Sequence, residues 1–269
     1  MSEPGPLLVR RDGPIATVTM NRPERHNAFD EALIEALTSA FAGLGEDPSV
    51  RAVLLAGAGA SFSAGADVSW MRRAAEYGEE ENRADARRLA AMLKTIDECP
   101  KPVVARVQGA ALGGGTGLVA VCDVVIASRR ASFGTTEVRL GLAAAVISPF
   151  VLRAIGPRQA RRLFLTGERI DADRALAIGL VHEVVEESEL DRRVDAVLDQ
   201  LLAGGPEAQA ASKELVRIVL GMPQGGSLLT EATVGVIAAR RASAEGKEGL
   251  RAFLEKREPA WRARRGGGG

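Results

Sequence analysis

Short apolar runs alternate with helical stretches over the first two thirds of the chain, and this alternation limits the fold more than any other feature. The runs at 52–56 and 124–127 contain no polar residue. A strand that is apolar on both faces must be covered on both, which is the condition of a parallel strand inside an α/β layer. Strands at 7–11 and 15–20, with period-two alternation, flank the turn Asp12-Gly13-Pro14. Asp30 reads as the N-cap of a helix whose stripe is Leu33, Leu37, Ala40, Phe41 and Leu44, with Gly43 and Gly45 expected to stop it. A small-residue loop at 57–65 follows, then a helix opening near Asp67. The charged stretch 76–88 leads into an amphipathic helix ending near Cys99. A strand at 103–107, a glycine-rich turn at 112–117 and a short helix at 118–122 come next.

Beyond about residue 145 helical patterns dominate, at 157–165, 172–178, 190–202, 207–220, 227–241 and 246–257, with one strand at 180–185. The expected organisation is an α/β core over 1–200 and a helical region over 201–265, with Gly204-Gly205-Pro206 at the boundary. The tail 266–269 is four glycines, expected to be disordered.

Composition narrows the partners. The 269 residues carry 35 Lys plus Arg against 35 Asp plus Glu, so no net field draws the chain to nucleic acid. Aromatic residues are 4% of the chain, too few for a base-stacking surface. No apolar run reaches the roughly 18 residues a membrane span requires. The first residues, Met1 to Pro6, lack the basic-then-apolar pattern of a secretory signal. Cys99 and Cys122 form no CxxC pair and fit a reduced compartment, with Cys122 expected in the core. A cytoplasmic location is the expectation. His26 and His182 are the only histidines, too few for a histidine-based metal centre. Both are expected to be structural.

Two glycine-rich segments carry the chemistry: Ala60-Ser61-Phe62-Ser63-Ala64-Gly65-Ala66-Asp67 and the run Gly109 to Gly117. Each follows a buried strand and precedes a helix, a geometry that points free N–H groups into a crevice. One N–H from each loop can hold a developing negative oxygen. The glycines can equally serve only tight turns and close packing. Neither segment matches GxGxxG or the Walker pattern, which disfavours nucleotide phosphates. Glu137 sits in a mostly apolar stretch, where a carboxyl gains a raised pKa and can exchange protons near neutral pH. It can equally be the ion-pair partner of Arg139.

In this order and spacing the segments resemble the enoyl-CoA hydratase/isomerase (crotonase) superfamily. The carriers are Thr19 to Pro23, Phe62 to Asp67, Gly109 to Gly117 with Cys122-Asp123, and Phe133-Gly134 with Glu137 and Leu140-Gly141-Leu142. Ala175 with Gly179-Leu180-Val181 and the end Phe253 to Lys256 complete the match. The resemblance implies a crotonase-like ββα superhelix, α/β in class, with a C-terminal helical trimerisation region and assembly as homotrimer or hexamer. It implies acyl-CoA thioester substrates and no metal or redox cofactor, coenzyme A entering as part of the substrate. The oxyanion donors would be the N–H groups of Ala66 and Gly114, with Glu137 the acid/base. Arg25, Ala64, Ala66, Asp67, Val68 and Gly114 would line the acyl-CoA site. Phe253 and Lys256 would reach coenzyme A on a neighbouring subunit.

One departure matters. The position three residues after Gly114, where the usual hydratase has a second glutamate, is Gly117. Three accounts follow: hydration of a 2-enoyl-CoA by Glu137 alone, Δ3,Δ2-enoyl-CoA isomerisation by the same residue, or acyl-CoA binding and trimer assembly without turnover. The first leads, because Leu112 to Ala120 and Ala143 to Gly156 resemble the hydratase branch of leucine and isoprenoid catabolism, which acts on 3-methylglutaconyl-CoA-like substrates. A diacid thioester calls for a cation, and Arg72 or Arg73 is the candidate. Both can instead lie on a solvated helix face beside Glu76 and Glu79. Glu76, Glu79, Glu80 and Glu81 are candidates for a replacement carboxylate, with a solvated face as the alternative.

Overall fold

The computed structural model describes residues 5–223 and 226–262; the glycine tail at 266–269 lies outside them. The main sheet has the order β1 (Leu7–Asp12), β2 (Ile15–Met20), β3 (Ala52–Gly57), β4 (Val103–Val107), β6 (Val124–Ser128) and β9 (Glu183–Val185). The hairpin β1–β2 is antiparallel and every later pairing is parallel. A second sheet joins β5 (Ala110–Leu112), β7 (Ser132–Gly134) and β8 (Arg169–Asp171).

Strand alternation distributes the core between the faces of the main sheet. On one face Ala16, Val18, Met20, Val53, Leu55 and Val103 pack beneath α1 (Glu31–Glu46) and α3 (Glu79–Asp97). On the other, Ile15, Ala52, Val104 and Ile126 meet Leu190, Val194, Val197 and Leu198 of α7 (Leu190–Ala203). The apolar runs are therefore covered twice, as their composition requires.

Several boundaries differ from the sequence expectation. Helix α1 runs through Gly43 and Gly45 to Glu46. Leu44 is buried and anchors the last turn, and a Cβ on Gly45 would stand 3.1 Å from Pro100 Cδ, so the glycine admits a close neighbour instead of ending the helix. Helix α4 (Gly114–Val121) starts inside the supposed turn at 112–117. The strand expected at 180–185 is confined to β9, because Leu180 N–H and Val181 N–H close the end of α6 (Ala172–Ala177) onto Ala175 O. Helix α5 (Ser148–Thr166) is broken at Gly156, with φ 71°, and restarts at Pro157. The strands of the second sheet are three residues each and went unread.

Helices α8 (Pro206–Gly221), α9 (Ser227–Ala242) and α10 (Ala244–Glu255) pack on one another. Lys213 Nζ of α8 reaches Asp123 Oδ2 at 2.6 Å, and Arg51 donates to Gly204 O at 2.6 Å, tying these helices to the core. No helix of the described residues is long and apolar enough to cross a membrane.

Candidate functional site

The first glycine-rich loop is held by two buried amides. Asn27 Nδ2 donates to Ala58 O and Ser61 O, each at 2.8 Å, and Gln108 Nε2 donates to Gly57 O at 2.6 Å. The chain then runs between two neighbours. Ser63 N–H donates to Ala110 O at 3.0 Å and Leu112 N–H to Ser63 O at 2.9 Å. On the opposite edge Phe29 N–H donates to Gly65 O at 2.6 Å, and Asp67 N–H to Phe29 O at 2.8 Å.

These bonds fix the direction of the Ala66 N–H. The Gly65–Ala66 peptide is trans, so its C=O and N–H point opposite ways. Its C=O faces Phe29, so its N–H faces away, toward the second loop. Gly65, with φ 89°, allows the close approach: a Cβ there would stand 2.8 Å from Leu112 O. Ala66 itself is exposed, open to a ligand.

The second loop delivers Gly114 as the first residue of α4, where a helix has unused N–H groups and the positive end of its dipole. Gly113 N–H donates to Gly134 O at 2.8 Å, and Thr116 Oγ1 donates to Ala111 O at 2.8 Å. Both bonds knit the helix start into the second sheet. The Phe29 ring lies on Gly114, where a Cβ would stand 2.6 Å from Phe29 Cε2. The glycines of this segment are thus packing-driven and leave the helix N-terminus uncovered at once.

The strand β7 that holds the second loop runs on to Glu137. A Cβ on Gly113 would lie 3.3 Å from Glu137 Oε1 and 4.0 Å from Gly65 Cα, so the carboxyl and both loops meet around one residue. Burial pushes the Glu137 carboxyl above its ordinary value. Its Oε2 is buried and has no hydrogen-bond partner. No cation pairs with it among the described residues. The ion-pair reading with Arg139 is corrected: Arg139 lies against Gly167, where a Cβ would stand 3.2 Å from its Nε. A half-buried carboxyl with one unpartnered oxygen beside a helix N-terminus has the chemistry to transfer protons next to a polarised carbonyl.

Gly117 stands one turn beyond Gly113 on the same face of α4, with Gly117 N–H donating to Gly113 O. A Cβ there would stand 2.4 Å from Ile147 Cγ2 and 3.8 Å from Leu93 Cδ1. Apolar side chains occupy the room a glutamate would need. Ile147 and Leu93 were missed in the sequence, where nothing marks residues 30 positions after and 24 before a glycine as the fillers of its space.

Asp67 is buried and N-caps α2 (Val68–Ala74). Burial alone would raise its pKa, but hydrogen bonds from Ser69, Arg22 and Trp70 outweigh this and hold it far below the usual carboxylate range. Its side chain is fully committed, and so is its main chain, whose N–H donates to Phe29 O and whose C=O accepts from Met71 N–H, so Asp67 serves to position the loop. Arg25 is half exposed and reaches Asp67 Oδ2 at 3.2 Å. Ala64 is half-buried, with its N–H given to His26 O, and Val68 is exposed beside Ala66. Arg73 pairs with Glu31 at 2.7 Å, whereas Arg72 is exposed with no carboxylate partner among the described residues. Glu79 and Glu80 pair with Arg83, and Glu81 accepts from Gly78 N–H. Those carboxylates belong to the solvated start of α3.

Phe253 is 81% exposed on α10, and Lys256 closes that helix in the left-handed conformation. Within one chain neither is brought to Glu137. His26 Nδ1 lies 3.1 Å from Ser61 Oγ, and His182 Nδ1 accepts from Val125 N–H at 3.0 Å, so both serve the scaffold. Cys122 is buried, as expected of a core residue.

The enoyl-CoA hydratase/isomerase family model matches residues 10–264. A crystal structure of an enoyl-CoA hydratase from Shewanella pealeana superposes with a TM-score of 0.92 at 41% identity, covering 95% of this chain and 96% of that one. A short-chain-enoyl-CoA hydratase of Clostridium acetobutylicum is 33% identical over 94% of this chain and 95% of its own length. An (E)-benzylidenesuccinyl-CoA hydratase of Thauera aromatica is 34% identical over 96% and 99%. With its fold and nearly its whole length shared with these proteins, the chain belongs to the enoyl-CoA hydratase/isomerase family and is an enoyl-CoA hydratase-type enzyme.

Proposed function

We propose that the enzyme adds water across the 2,3 double bond of a 2-enoyl-CoA with Glu137 as its single acid/base. The Ala66 and Gly114 N–H groups hold the thioester oxygen as it gains enolate charge. The observation that carries this reading is the Glu137 carboxyl, its Oε2 buried without a hydrogen-bond partner, standing against Gly113 where the two loops meet. Glu137 takes a proton from water as its oxygen joins C3, then returns a proton to C2 of the enolate, so one carboxyl serves both halves of the addition. The backbone does the electrostatic work, so the reaction calls for no metal or redox cofactor.

The same observation favours a second reading. With Ile147 and Leu93 filling the space at Gly117, one carboxyl shuttling a proton between C4 and C2 would make a Δ3,Δ2-enoyl-CoA isomerase. The finer substrate assignment is a branched diacid thioester of the 3-methylglutaconyl-CoA kind. Its support is the named substrate of the Thauera aromatica relative, itself a succinyl derivative, together with the unpaired Arg72. We further assign 1–200 to the acyl-CoA core and 201–265 to trimer or hexamer assembly, where Phe253 and Lys256 would meet a neighbour's coenzyme A.

Purified enzyme assayed side by side on crotonyl-CoA, 3-methylglutaconyl-CoA and a 3-enoyl-CoA tests the proposal. Hydration of the first two, with Glu137→Gln losing at least about 100-fold in rate, is the expected result. Turnover of the 3-enoyl-CoA alone would establish the isomerase. Unchanged turnover in Glu137→Gln would remove the residue from the mechanism. Arg72→Met is expected to slow 3-methylglutaconyl-CoA more than crotonyl-CoA; equal losses would end the diacid assignment.

A further inference from the structure

Two helix starts near the site are capped in the same way. Asp30 Oδ1 accepts from Leu33 N–H at the start of α1, and Asp67 Oδ1 accepts from Ser69 N–H at the start of α2. Each cap leaves its Oδ2 over, and one group takes both. Arg22 Nη2 lies 3.0 Å from Asp30 Oδ2 and 2.9 Å from Asp67 Oδ2. Arg22 Nη1 donates to Ala28 O at 2.5 Å. The three acceptors flank a single bridge: residues 28 and 30 stand on either side of Phe29, and residue 67 follows Ala66. That bridge is the one that turns the Ala66 N–H toward the second loop.

Resting on the reading of Ala66 as an oxyanion donor, we propose that Arg22 is a positioning residue that fixes the direction of the Ala66 N–H. The arrangement is built rather than incidental. The Arg22 side chain is 13% exposed and the Asp67 side chain 1%. Its own backbone is braced, because Arg22 N–H donates to Asn27 Oδ1 at 2.9 Å while Asn27 Nδ2 holds the 58–61 loop. Asn27 is fully buried and left-handed, with φ 53°, and so sets the sharp turn that presents Arg22. A planar guanidinium spans three acceptors in one orientation, and an ammonium does not. Arg25 meets the same carboxylate from the outside, half exposed, and contributes less.

The caps use Oδ1 and the clamp uses Oδ2. Loss of Arg22 therefore leaves α1 and α2 capped and joined by the exposed Arg73–Glu31 pair, but without the buried clamp beside the bridge between Phe29 and Ala66. A group that only stabilised the fold would lower the melting temperature without altering the electrostatics of bound substrate.

The test uses full-length Arg22→Lys and Arg22→Met with two readouts. The first is kcat and KM on crotonyl-CoA. The second is the absorption band of a bound conjugated dienoyl-CoA, which moves to the red as its thioester carbonyl is polarised. The expected result is a kcat lower by roughly tenfold to a hundredfold with KM within about threefold, as for partial loss of an oxyanion donor. The red shift should shrink while the far-ultraviolet circular dichroism stays native. Arg22→Lys should recover part of both, and it carries the test if Arg22→Met does not fold. A folded variant with the full red shift and unchanged kcat would overturn the proposal. So would a loss of kcat that tracks the unfolded fraction while the red shift is intact. Glu137→Gln should keep the full shift and lose turnover; a wild-type enzyme that binds the dienoyl-CoA without any shift would instead overturn the oxyanion reading beneath.

Discussion

At Glu137 the proposed function opposes stability. Its carboxyl is pushed above the ordinary value of 4.5 by burial, with no cation to offset the cost of charge. Between the unfolded and folded values the folded state binds more protons, so the residue's contribution to stability falls as pH rises through that window. Glu137→Gln removes the penalty. Thermal unfolding is expected to show the variant more stable than the wild type at pH 7 to 8, with the gap closing below pH 4.5. A gap of constant size across this range would contradict an isolated buried carboxyl. Sequence showed the apolar surroundings of Glu137 but not whether Arg139 would pair with it. That depended on where Arg139 would turn, a matter of tertiary contact with Gly167.

At the level of elements, α4 shows why glycine-rich text misleads. Gly114, Gly115 and Gly117 are poor helix formers, and the expectation was a turn. The helix forms because each missing Cβ admits a neighbour: the Phe29 ring, Ser63 O and Ile147 Cγ2 at 2.6, 2.4 and 2.4 Å from where it would be. Packing overrides propensity there. It also brings the N-terminus of α4 to the first loop. By contrast the Asp30 cap and the helix start near Asp67 were legible, because helix starts are local chemistry. Gly117→Ala is expected to destabilise the enzyme by about 1–3 kcal/mol through overpacking against Ile147. The double variant with Ile147→Ala should lose less than the sum of the two single variants. Additive melting-temperature losses would show that the two positions do not share a space.

At the level of the whole molecule, the double-sided burial of the main sheet was readable from runs such as 52–56, and the parallel order followed from it. The second sheet was not, since a three-residue strand carries no periodicity of its own. The C-terminal helices pose a different question. Among their described residues α8 and α9 bury no side chain fully, while Leu228, Phe253 and Leu254 are 76%, 81% and 78% exposed. These exposed apolar side chains fit the proposed assembly through the C-terminal helices. Light scattering is expected to give a mass of three or six chains, and Phe253→Glu with Leu254→Glu to shift it toward monomer. A monomeric wild type at micromolar concentration would contradict the proposed assembly.

The proposed chemistry depends on one thioester oxygen sitting between two main-chain amides while one carboxyl moves protons beside it. The most direct measurement is a crystal structure of the enzyme with a bound, unreactive acyl-CoA thioester. The thioester oxygen is expected within about 2.7–3.1 Å of both Ala66 N and Gly114 N, with the Glu137 carboxyl facing C2 and C3. A thioester oxygen bonded to neither amide, or an acyl chain leading away from Glu137, would contradict it.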